Sequence, residues 1–274
     1  MTLPDSLPPI RLVICDIDGT LVRHDKSLPQ ENIEAVKGLL ARGIPVSLIS
    51  ARPIAGMQPI IAALGLTGPF AAFNGGTLFD GKGAVLSTQQ IPADTAQALL
   101  GQFTEAGVTR WLFAGGKWLT SDVTDPHTPR ERISSGLEPE TDDMEAAAAR
   151  ADKLVAVSDD PALLAAIEAR AVATAGNAAS VVRSQSYYLD VTARGANKGE
   201  GVTALASAFG VPLEQTAVLG DNANDVAMFR RAGLSIAMGQ AEPAVRAEAD
   251  YLAASNDDCG VADGIARFVV PRLG

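Results

Sequence analysis

Two acidic residues, Asp16 and Asp18, lie one residue apart at the end of the apolar run RLVIC, and Gly19 and Thr20 follow them. Carboxylates this close repel each other, and burial would force at least one of them to take up a proton. A hard divalent cation removes that cost, because Mg²⁺ prefers oxygen ligands and is commonly held by one or two carboxylates with water and phosphate oxygens. The stretch therefore indicates a metal-dependent site that acts on a phosphate group.

Polar residues suited to the same chemistry follow other apolar runs. Ser50 follows the apolar run IPVSLI, and Lys198 is the first residue of KGEGVTALASAF. The apolar run TAVLG ends at Gly220, which begins the polar stretch GDNAND at 220–225. In a doubly wound parallel sheet, ligands bind at the carboxyl ends of the strands. We therefore expect these residues to meet the acid pair at one edge of a sheet, although they lie far apart in the chain.

The combined set suits a phosphate dianion. Mg²⁺ held by Asp16, Asp18 and Asp221 would neutralise the charge of the dianion together with the ammonium group of Lys198. Hydroxyl and amide groups would donate hydrogen bonds to the phosphate oxygens, and a glycine would let backbone N–H groups approach them. The residues expected to bind the phosphate group are Gly19, Ser50, Lys198 and Asn224.

Two carboxylates can divide the two halves of a phosphate transfer between them. One can attack phosphorus and form an aspartyl phosphate. The other can donate a proton to the leaving alcohol and later take one from water. Asp16 and Asp18 fill these two roles if the loop places them on either side of the phosphorus atom.

The surrounding pattern predicts an α/β fold. The apolar strands RLVICD, IPVSLIS and PFAAFN alternate with a helix over 30–43 and another over PIAGMQPIIAALGL. Short strands that are apolar throughout are typical of a doubly wound, Rossmann-like parallel sheet covered on both faces. The pattern returns towards the end of the chain, where NKGEGVTALASAFG, NDVAMFRRAG and AEPAVRAEAD are predicted helices and TAVLG and LSIAMG are predicted strands.

A stretch of mixed strands and helices separates the two α/β parts. It begins with TLFDGKGAVLST, a predicted hairpin that turns at Asp80-Gly81. We expect a core from residues 1–80 and 187–274, with an inserted α+β domain at 81–186. The elements predicted in the insert are a helix over 93–107, strands within 109–120, a polar loop over 121–130, an acidic alanine-rich helix over 138–151, a helix over 160–171, and the strands KLVAVSD, SVVRS and YYLDV.

The composition narrows the class of protein. A chain of 274 residues with 47 % hydrophobic and 20 % charged residues suits two globular domains. A formal charge of −10 disfavours nucleic acid and anionic membrane surfaces as partners. We recognise neither a secretion leader nor a membrane-spanning run, and the two cysteines offer no disulfide framework. We expect a reduced, cytoplasmic protein that is a monomer or a homodimer.

Four segments resemble, in order and spacing, the four motifs of the haloacid dehalogenase-like (HAD) phosphatases. They are DIDGT at 16–20, Ser50 within LISAR, Lys198 within NKGEG, and GDNANDVAMF at 220–229. The insertion between the second and third motifs resembles the type IIB cap of the Cof-like sugar phosphatases. The resemblance implies a Mg²⁺-dependent phosphatase with a core and a cap that acts on a small phosphorylated metabolite, most simply a sugar phosphate.

The resemblance also implies roles for the four acidic residues of the motifs. Asp16 is then the nucleophile and a metal ligand. Asp18 is the general acid and base, and lends its backbone carbonyl to the metal. Asp221 is the third metal-binding position, and Asp225 acts on the metal through a bound water.

The other motif residues are then phosphate ligands. Ser50 and Lys198 hold the phosphoryl group, and Asn224 contacts the phosphate or orients Lys198. The chain departs from the family pattern at Gln240, where asparagine is usual, and at Cys259, where an acid is common. Both departures lie outside the four motifs and bear on fine contacts to substrate.

Each of these residues also has an ordinary structural explanation. An Asp-Gly pair often begins a turn, Ser50 is a good helix cap, and an isolated lysine such as Lys198 is usually solvated. Only their joint occurrence in the expected order favours a site. GTLFDGKG at 76–83 nearly matches a phosphate-binding loop, but it lacks the final Ser or Thr and falls on the predicted hairpin turn.

The remaining candidate groups are not assigned to the chemistry. His24 and His127 are isolated, without the spacing of metal ligands. His24 follows the first motif and is a candidate for the edge of the site, and we expect a surface position for His127 in a cap loop, where contact with the substrate is the alternative. We expect Trp111 and Trp118 to pack inside the cap. Two other functions stay open, a phosphomutase of the same fold and a non-catalytic phosphate-sensing domain.

Overall fold

The computed structural model describes residues 8–274, which form fourteen strands and ten α-helices. The N-terminal stretch used to predict that no leader is present lies, as far as residue 7, outside the described residues. The strands are β1 (Leu12–Cys15), β2 (Val46–Leu48), β3 (Phe70–Ala72), β4 (Thr77–Phe79), β5 (Val85–Thr88), β6 (Thr109–Ala114), β7 (Lys117–Thr120), β8 (Pro139–Glu140), β9 (Ala151–Val157), β10 (Ala179–Gln185), β11 (Tyr188–Ala193), β12 (Thr216–Gly220), β13 (Leu234–Ala237) and β14 (Tyr251–Leu252). The helices are α1 (Gln30–Leu40), α2 (Ile54–Leu64), α3 (Ala93–Glu105), α4 (Thr128–Ser135), α5 (Met144–Ala147), α6 (Pro161–Ala175), α7 (Lys198–Phe209), α8 (Val226–Phe229), α9 (Pro243–Arg246) and α10 (Gly260–Gly264).

The core sheet has five parallel strands in the order β14-β13-β12-β1-β2. Both of its faces are covered. Val13 and Cys15 pack in one cluster with residues of α1, α2 and α10, whereas Leu12 and Ile14 pack with residues of α7, α8 and α9. Burial on both faces explains why these strands are apolar throughout instead of alternating. The predicted doubly wound α/β core is confirmed.

One predicted core strand takes a different place. PFAAFN forms β3, which touches the parallel sheet at a single bridge between Ile49 and Ala71 and otherwise pairs antiparallel with β4. The chain turns back directly after β3, because Phe73 and Asn74 have left-handed backbone angles (φ 50° and 58°). The result is a separate three-stranded sheet, β3-β4-β5, that contains the predicted hairpin with its turn at Asp80.

The inserted segment forms a second sheet, which together with α3–α6 we call the cap. Its six strands follow the order β10-β11-β9-β6-β7-β8 and are antiparallel except for the β7–β8 pair. Leu112, Leu154 and Leu189 on its outer face pack in a cluster with α3 and α6. Trp111 and Trp118 on its inner face are almost fully buried in the cluster shared with the core. The prediction that they pack inside the cap is therefore confirmed.

Two stretches of the cap differ from the predicted elements. The end of the predicted polar loop leads into α4, which has Pro129 in its first turn and Gly136 at its C-terminal cap. Proline is favoured at a helix start and glycine just past a helix end, and this signal was overlooked. The predicted single helix over 138–151 was wrong, because Pro139 lies in β8 and only Met144–Ala147 is α-helical, followed by a 3₁₀ turn.

The ends of the cap and of the chain also differ in detail from the sequence pattern. The six-stranded sheet extends to Ala193, so β11 follows residue 186, the predicted end of the insert. The predicted helix AEPAVRAEAD is only the single turn α9. An unpredicted helix, α10, begins at Gly260 and continues as π and 3₁₀ turns to Arg272.

Candidate active site

The four sequence motifs meet at the carboxyl edge of the core sheet. Asp16 and Asp18 follow β1, Ser50 follows β2, Asp221 follows β12, and Lys198 is the first residue of α7. Strands β2 and β12 both pair with β1, so the loops after all three strands are neighbours. The fold thereby brings together residues that are up to about two hundred positions apart in the chain.

Lys198 binds two buried carboxylates. Its Nζ lies 2.6 Å from Asp16 Oδ1 and 2.5 Å from Asp225 Oδ1, and all three side chains are almost completely inaccessible. Burial lowers the pKa of Lys198, but the charges and hydrogen bonds of the two aspartates outweigh it, so the net shift is upward. The lysine is therefore protonated and holds the carboxylate of Asp16 in a fixed orientation.

Asp16, Asp221 and Asp225 form a tight acidic cluster, in which each contributes an oxygen within 4.8 Å of the other two. Burial raises the pKa of Asp16 well above its usual range; Lys198 opposes this rise, and Asp225 and Asp221 add to it. Burial, followed by the charge of Asp225, raises the pKa of Asp221 to about 6. Three carboxylates thus share the one positive charge of Lys198, and a further cation would relieve their repulsion.

The oxygens of this cluster differ in their partners. Asp225 accepts hydrogen bonds through both oxygens, from Lys198 Nζ and from the backbone N–H groups of Asp221 and Asn222 at 2.8 and 2.9 Å. Among residues 8–274, no hydrogen-bond donor reaches Asp16 Oδ2 or Asp221 Oδ2. These two oxygens fit a hard cation such as Mg²⁺. Asp225 anchors Lys198 and the loop of Asp221, and its predicted action on the metal through a bound water stays a prediction.

Asp18 faces a different set of partners. Arg52 binds it through two hydrogen bonds, from Nε to Oδ2 at 2.6 Å and from Nη2 to Oδ1 at 2.7 Å, and Lys26 Nζ lies 2.7 Å from Oδ1. Burial raises the pKa of Asp18, but the hydrogen bonds and charges of Arg52, and then of Lys26, outweigh burial. The pKa of Asp18 is therefore well below its usual range. The Asp18 carboxylate lies outside the acidic cluster, which leaves its backbone carbonyl as its predicted contribution to a metal site.

The tight turn after Asp18 packs against Asp221. Gly19 has φ +82°, and a Cβ at this position would lie 2.3 Å from Asp221 Oδ2. Thr20 Oγ1 donates a hydrogen bond to Asp221 Oδ1 at 2.9 Å, and Gln240 Nε2 donates one to Gly19 O at 2.6 Å. Gln240, one of the two departures from the family pattern, therefore holds the loop that carries the acid pair.

The predicted phosphate ligands Ser50 and Asn224 lie on either side of a strained turn. Ser50 is buried, and its carbonyl accepts a hydrogen bond from Asn74 N at 2.7 Å. Asn224 Nδ2 donates to Asn74 Oδ1 at 3.1 Å, while Asn224 Oδ1 is buried without a partner among residues 8–274. Asn74, whose left-handed conformation suits asparagine, thus links the second and fourth motifs.

Sequence reasoning missed three residues of the core site. Arg52 and Lys26 hold Asp18, and Asn74 positions Asn224. Arg52 stands two residues after Ser50 within LISAR, one of the four motif segments, and Asn74 is the last residue of the predicted strand PFAAFN. The available signal was a basic residue two positions after a predicted site residue, Ser50, because a buried carboxylate needs a cationic partner.

The cap closes one side of the site. A cavity of about 160 Å³ is lined by Asp16, Asp18, Ser50 and Lys198 from the core and by side chains of the cap. Nothing in the sequence pattern of the insert singled these cap residues out. They are Arg130, Glu131 and Ser134 of α4, Lys153 of β9, Ser184 and Gln185 of β10, Tyr187, and Tyr188 and Asp190 of β11.

The other groups considered from sequence are not among the residues that line this cavity. His24 is exposed. His127 is half-buried, not on the open surface as expected; its Nε2 lies 2.9 Å from Asp159 Oδ1, and its ring stacks at 3.9 Å on Tyr187, which lines the cavity. The near match to a phosphate-binding loop is the hairpin turn, where Asp80 Oδ1 accepts hydrogen bonds from two backbone N–H groups. Both cysteines are free. No helix in the described part of the chain is long and apolar enough to span a bilayer.

Comparisons with known sequences agree with these motifs. Residues 13–265 match the family model described as haloacid dehalogenase-like hydrolase. The chain is 24 % identical over 261 residues to 5-amino-6-(5-phospho-D-ribitylamino)uracil phosphatase YcsE of Bacillus subtilis, which covers 95 % of this chain and 96 % of that protein. It is 27 % identical over 242 residues to HMP-PP phosphatase of Escherichia coli, covering 88 % and 89 % of the two chains.

Solved structures share the whole architecture, cap included. A haloacid dehalogenase-like hydrolase from Bacteroides thetaiotaomicron superposes with a TM-score of 0.86 at 25 % identity, over 94 % of this chain and 99 % of that chain. A HAD subclass IIB sugar phosphatase superposes with a TM-score of 0.81 at 24 % identity, over 94 % and 98 % of the two chains. At 24 % identity, the similarity to this sugar phosphatase shows a shared fold only.

Proposed function

The chain belongs to the haloacid dehalogenase-like hydrolase family and is a phosphatase, and we propose that it hydrolyses the phosphate monoester of a small metabolite through an aspartyl phosphate on Asp16. Mg²⁺ is the proposed cofactor, bound by the free oxygens of Asp16 and Asp221 and by the backbone carbonyl of Asp18. When bound, it neutralises charge on the phosphate group.

One observation carries the proposal. The carboxylate of Asp16, held by Lys198 at 2.6 Å, faces a cavity that Ser50 and the cap also line. A nucleophile that is fixed in orientation loses little entropy when it attacks, and a buried ammonium group beside it stabilises the charge of the phosphoryl group. A site built only to sense phosphate has no need of a carboxylate aimed at the ligand, because the two would repel.

Asp16 attacks phosphorus in the first step, and the bond from phosphorus to the leaving alkoxide oxygen breaks. Asp18, which takes up a proton as the substrate binds, gives that proton to the leaving oxygen, and in the second step it takes a proton from the water that attacks the aspartyl phosphate. Arg52 and Lys26 hold Asp18 as the carboxylate, which is the form the second step needs. The negative charge of an entering phosphate acts against these two cations and favours the protonated form that the first step needs.

The cap supplies two further conditions for this reaction. Its inner face covers the cavity and excludes bulk water from the phosphorylated intermediate until the alcohol has left. Its side chains also contact the leaving group, so we propose that they select the substrate. The similarity to 5-amino-6-(5-phospho-D-ribitylamino)uracil phosphatase of Bacillus subtilis supports a small phosphorylated metabolite as the substrate.

Hydrolysis of p-nitrophenyl phosphate with and without Mg²⁺ tests the proposal, beside the variants Asp16→Asn and Lys198→Met. We expect Mg²⁺-dependent release of phosphate by the wild type and loss of about three orders of magnitude or more in both variants, since each removes a group that touches the reacting phosphate. The assay contains no bisphosphate primer, so turnover also separates hydrolysis from a phosphomutase reaction. Equal rates for wild type and Asp16→Asn would refute the proposal.

A further inference from the structure

We propose that Gly56 is a positioning residue: the C-terminal end of cap helix α4 packs on Gly56 in core helix α2, and this contact sets the position of Asp18 through Arg52. Gly56 then acts on the reaction without touching the substrate. The inference rests on the proposed phosphatase function, because it concerns the proposed general acid of that reaction.

The end of α4 and the start of α2 touch through their backbones, and we call this the α4–α2 contact. A Cβ on Gly56 would lie 2.1 Å from the carbonyl oxygen of Ser134 and 3.0 Å from that of Ser135. A Cβ on Gly136, the residue at the C-terminal cap of α4, would lie 2.9 Å from the carbonyl oxygen of Ala55. The two helices reach this separation only because both positions are glycine.

The two helix ends also match in charge. The carbonyl groups of the last turn of α4 carry partial negative charge, and they lie against the first turn of α2, whose N–H groups carry partial positive charge. Pro53, at the cap position of α2, has no side-chain group that accepts a hydrogen bond from those N–H groups. The α4–α2 contact is therefore electrostatically favourable as well as close, which gives α4 one defined position on the core.

One side chain joins Gly56 to the proposed general acid. The carbonyl of Gly56 accepts a hydrogen bond from Arg52 Nη1 at 3.0 Å, and Arg52 binds both carboxylate oxygens of Asp18. Gly56 and Arg52 are both buried, so bulk water does not compete for this hydrogen bond. A shift of Gly56 therefore moves the guanidinium group of Arg52 and, with it, the carboxylate of Asp18.

The α4–α2 contact also lies between two cavities. Ser134 of α4 and Arg52, just before α2, line the catalytic cavity. A second cavity, of about 510 Å³, is lined by the next residues of the same two segments, Leu137 and Ala55. Separation of α4 from α2 would join the two cavities and admit bulk water, so the site is closed in the same state in which Asp18 is in place.

Gly56→Ala tests this role, because its methyl group collides with the backbone of α4. The substrates are phenyl phosphate and p-nitrophenyl phosphate, which differ by one nitro group. Phenol is the more basic leaving group, so its departure depends more on a proton from Asp18. We expect kcat/KM for phenyl phosphate to fall about 10- to 100-fold, and kcat/KM for p-nitrophenyl phosphate to fall several times less.

Gly38→Ala is the matched control. Gly38 also lies within a helix of the core, α1, and a Cβ added there would meet no described residue within 4 Å. The control reproduces the gain in helix propensity of Gly56→Ala without the collision. We expect it to leave the ratio of kcat/KM for the two substrates unchanged.

A second pair of variants changes the same contact from the side of the cap. Gly136→Ala places a methyl group against Ala55, and Gly107→Ala, at a cap glycine with a similar φ (+68° against +65°), reproduces the backbone strain in open space. We expect the unequal loss for the two substrates in Gly136→Ala only. In the double variant of Gly56→Ala with Arg52→Lys, the two losses for phenyl phosphate should not multiply, because both act through one hydrogen-bonded chain.

The outcomes separate this inference from the proposed function. If the wild type hydrolyses neither substrate, the phosphatase function fails. If the wild type hydrolyses both, but Gly56→Ala and Gly136→Ala lower kcat/KM for the two substrates by the same factor or by none, the positioning role is wrong. Multiplied losses in the double variant also contradict it. Thermal unfolding of each variant shows which of them fold, and if Gly56→Ala does not, Gly136→Ala decides.

Discussion

The guanidinium group of Arg52 binds both carboxylate oxygens of Asp18, at 2.6 and 2.7 Å, while its third nitrogen donates to the carbonyl of Gly56 in α2. A planar guanidinium that is anchored at a third point fixes the position of the carboxylate more firmly than a point charge does. The proposed general acid is thus held in place by a residue of the loop after β2, the strand next to its own in the sheet.

Replacement of Arg52 by lysine should therefore impair catalysis although it retains the charge. Lysine cannot bind both oxygens of Asp18, and a displacement of about 1 Å at a reacting group can lower the rate about 100-fold. We expect kcat to fall about 10- to 100-fold, with a smaller change in the Mg²⁺ concentration that gives half-maximal activity. Arg230→Lys is the matched control, since Arg230 binds Glu248 through two similar hydrogen bonds on the surface. Equal kinetics of Arg52→Lys and the wild type would contradict this role.

Removal of Lys198 should destabilise the fold as well as abolish activity. Its loss leaves Asp16 and Asp225 buried without a cation, and breaking a buried pair commonly costs about 3–5 kcal/mol. The pKa of Asp16 is already raised, and loss of Lys198 raises it further. Carboxylates with raised pKa values contribute stability at low pH that is lost as pH rises, so Lys198→Met should be closest to the wild type in acid. Thermal unfolding at several pH values measures this, and a deficit that grows towards low pH would contradict it.

The core of the site could be predicted because it rests on local sequence. Asp16, Ser50 and Asp221 each follow an apolar run, and parallel strands bring their carboxyl ends to one edge whatever the detailed packing. The side chain of Asn197 caps the start of α7, so Lys198 is placed as the first residue of that helix. The positions of these residues could be predicted from the apolar strands alone, because ligands bind at the carboxyl ends of the strands in a parallel α/β sheet.

The cap could not be predicted in the same way. Tyr188 and Asp190 reach the cavity only because β11 pairs with β9 and β10 in one register, and a shift of one residue would turn both to the other face. Glu131 reaches it from α4, a helix that begins at the end of the predicted polar loop over 121–130 and continues into a stretch for which no element was predicted. Pairing between distant strands leaves no local mark in the sequence.

Mg²⁺ should stabilise the protein more at neutral than at acidic pH. The pKa of Asp221 is raised from 3.8 to about 6, first by burial and then by Asp225. In the metal-free protein, this raised pKa contributes stability that is full below pH 3.8 and lost as pH rises through about 6. Metal binding requires the ionised form, so the ion competes with the proton below this pKa.

Thermal unfolding with and without Mg²⁺ measures this effect. We expect a clear rise in Tm on addition of Mg²⁺ at a pH of about 7.5 and little rise at a pH of about 5. Asp221→Asn removes the titrating group, so its Tm should respond weakly to Mg²⁺ at both pH values. A Mg²⁺ effect that is equal at both pH values in the wild type would mean that Asp221 does not bind the ion.

Gly19→Ala should weaken Mg²⁺ binding because the added methyl group collides with the carboxylate of Asp221. A Cβ on residue 19 would lie 2.3 Å from Asp221 Oδ2, the oxygen assigned to the metal, and the backbone there has φ +82°. The contact pushes the Asp221 carboxylate aside, and the left-handed backbone adds strain of about 1 kcal/mol. Gly43→Ala separates the two effects, because Gly43 has a similar φ of +74° and a Cβ added there would meet nothing within 4 Å. Both variants should lose similar stability from strain, but only Gly19→Ala should need a Mg²⁺ concentration about 10-fold or more higher for half-maximal activity. If the two variants show the same Mg²⁺ dependence, Asp221 does not hold the metal through the oxygen that faces Gly19.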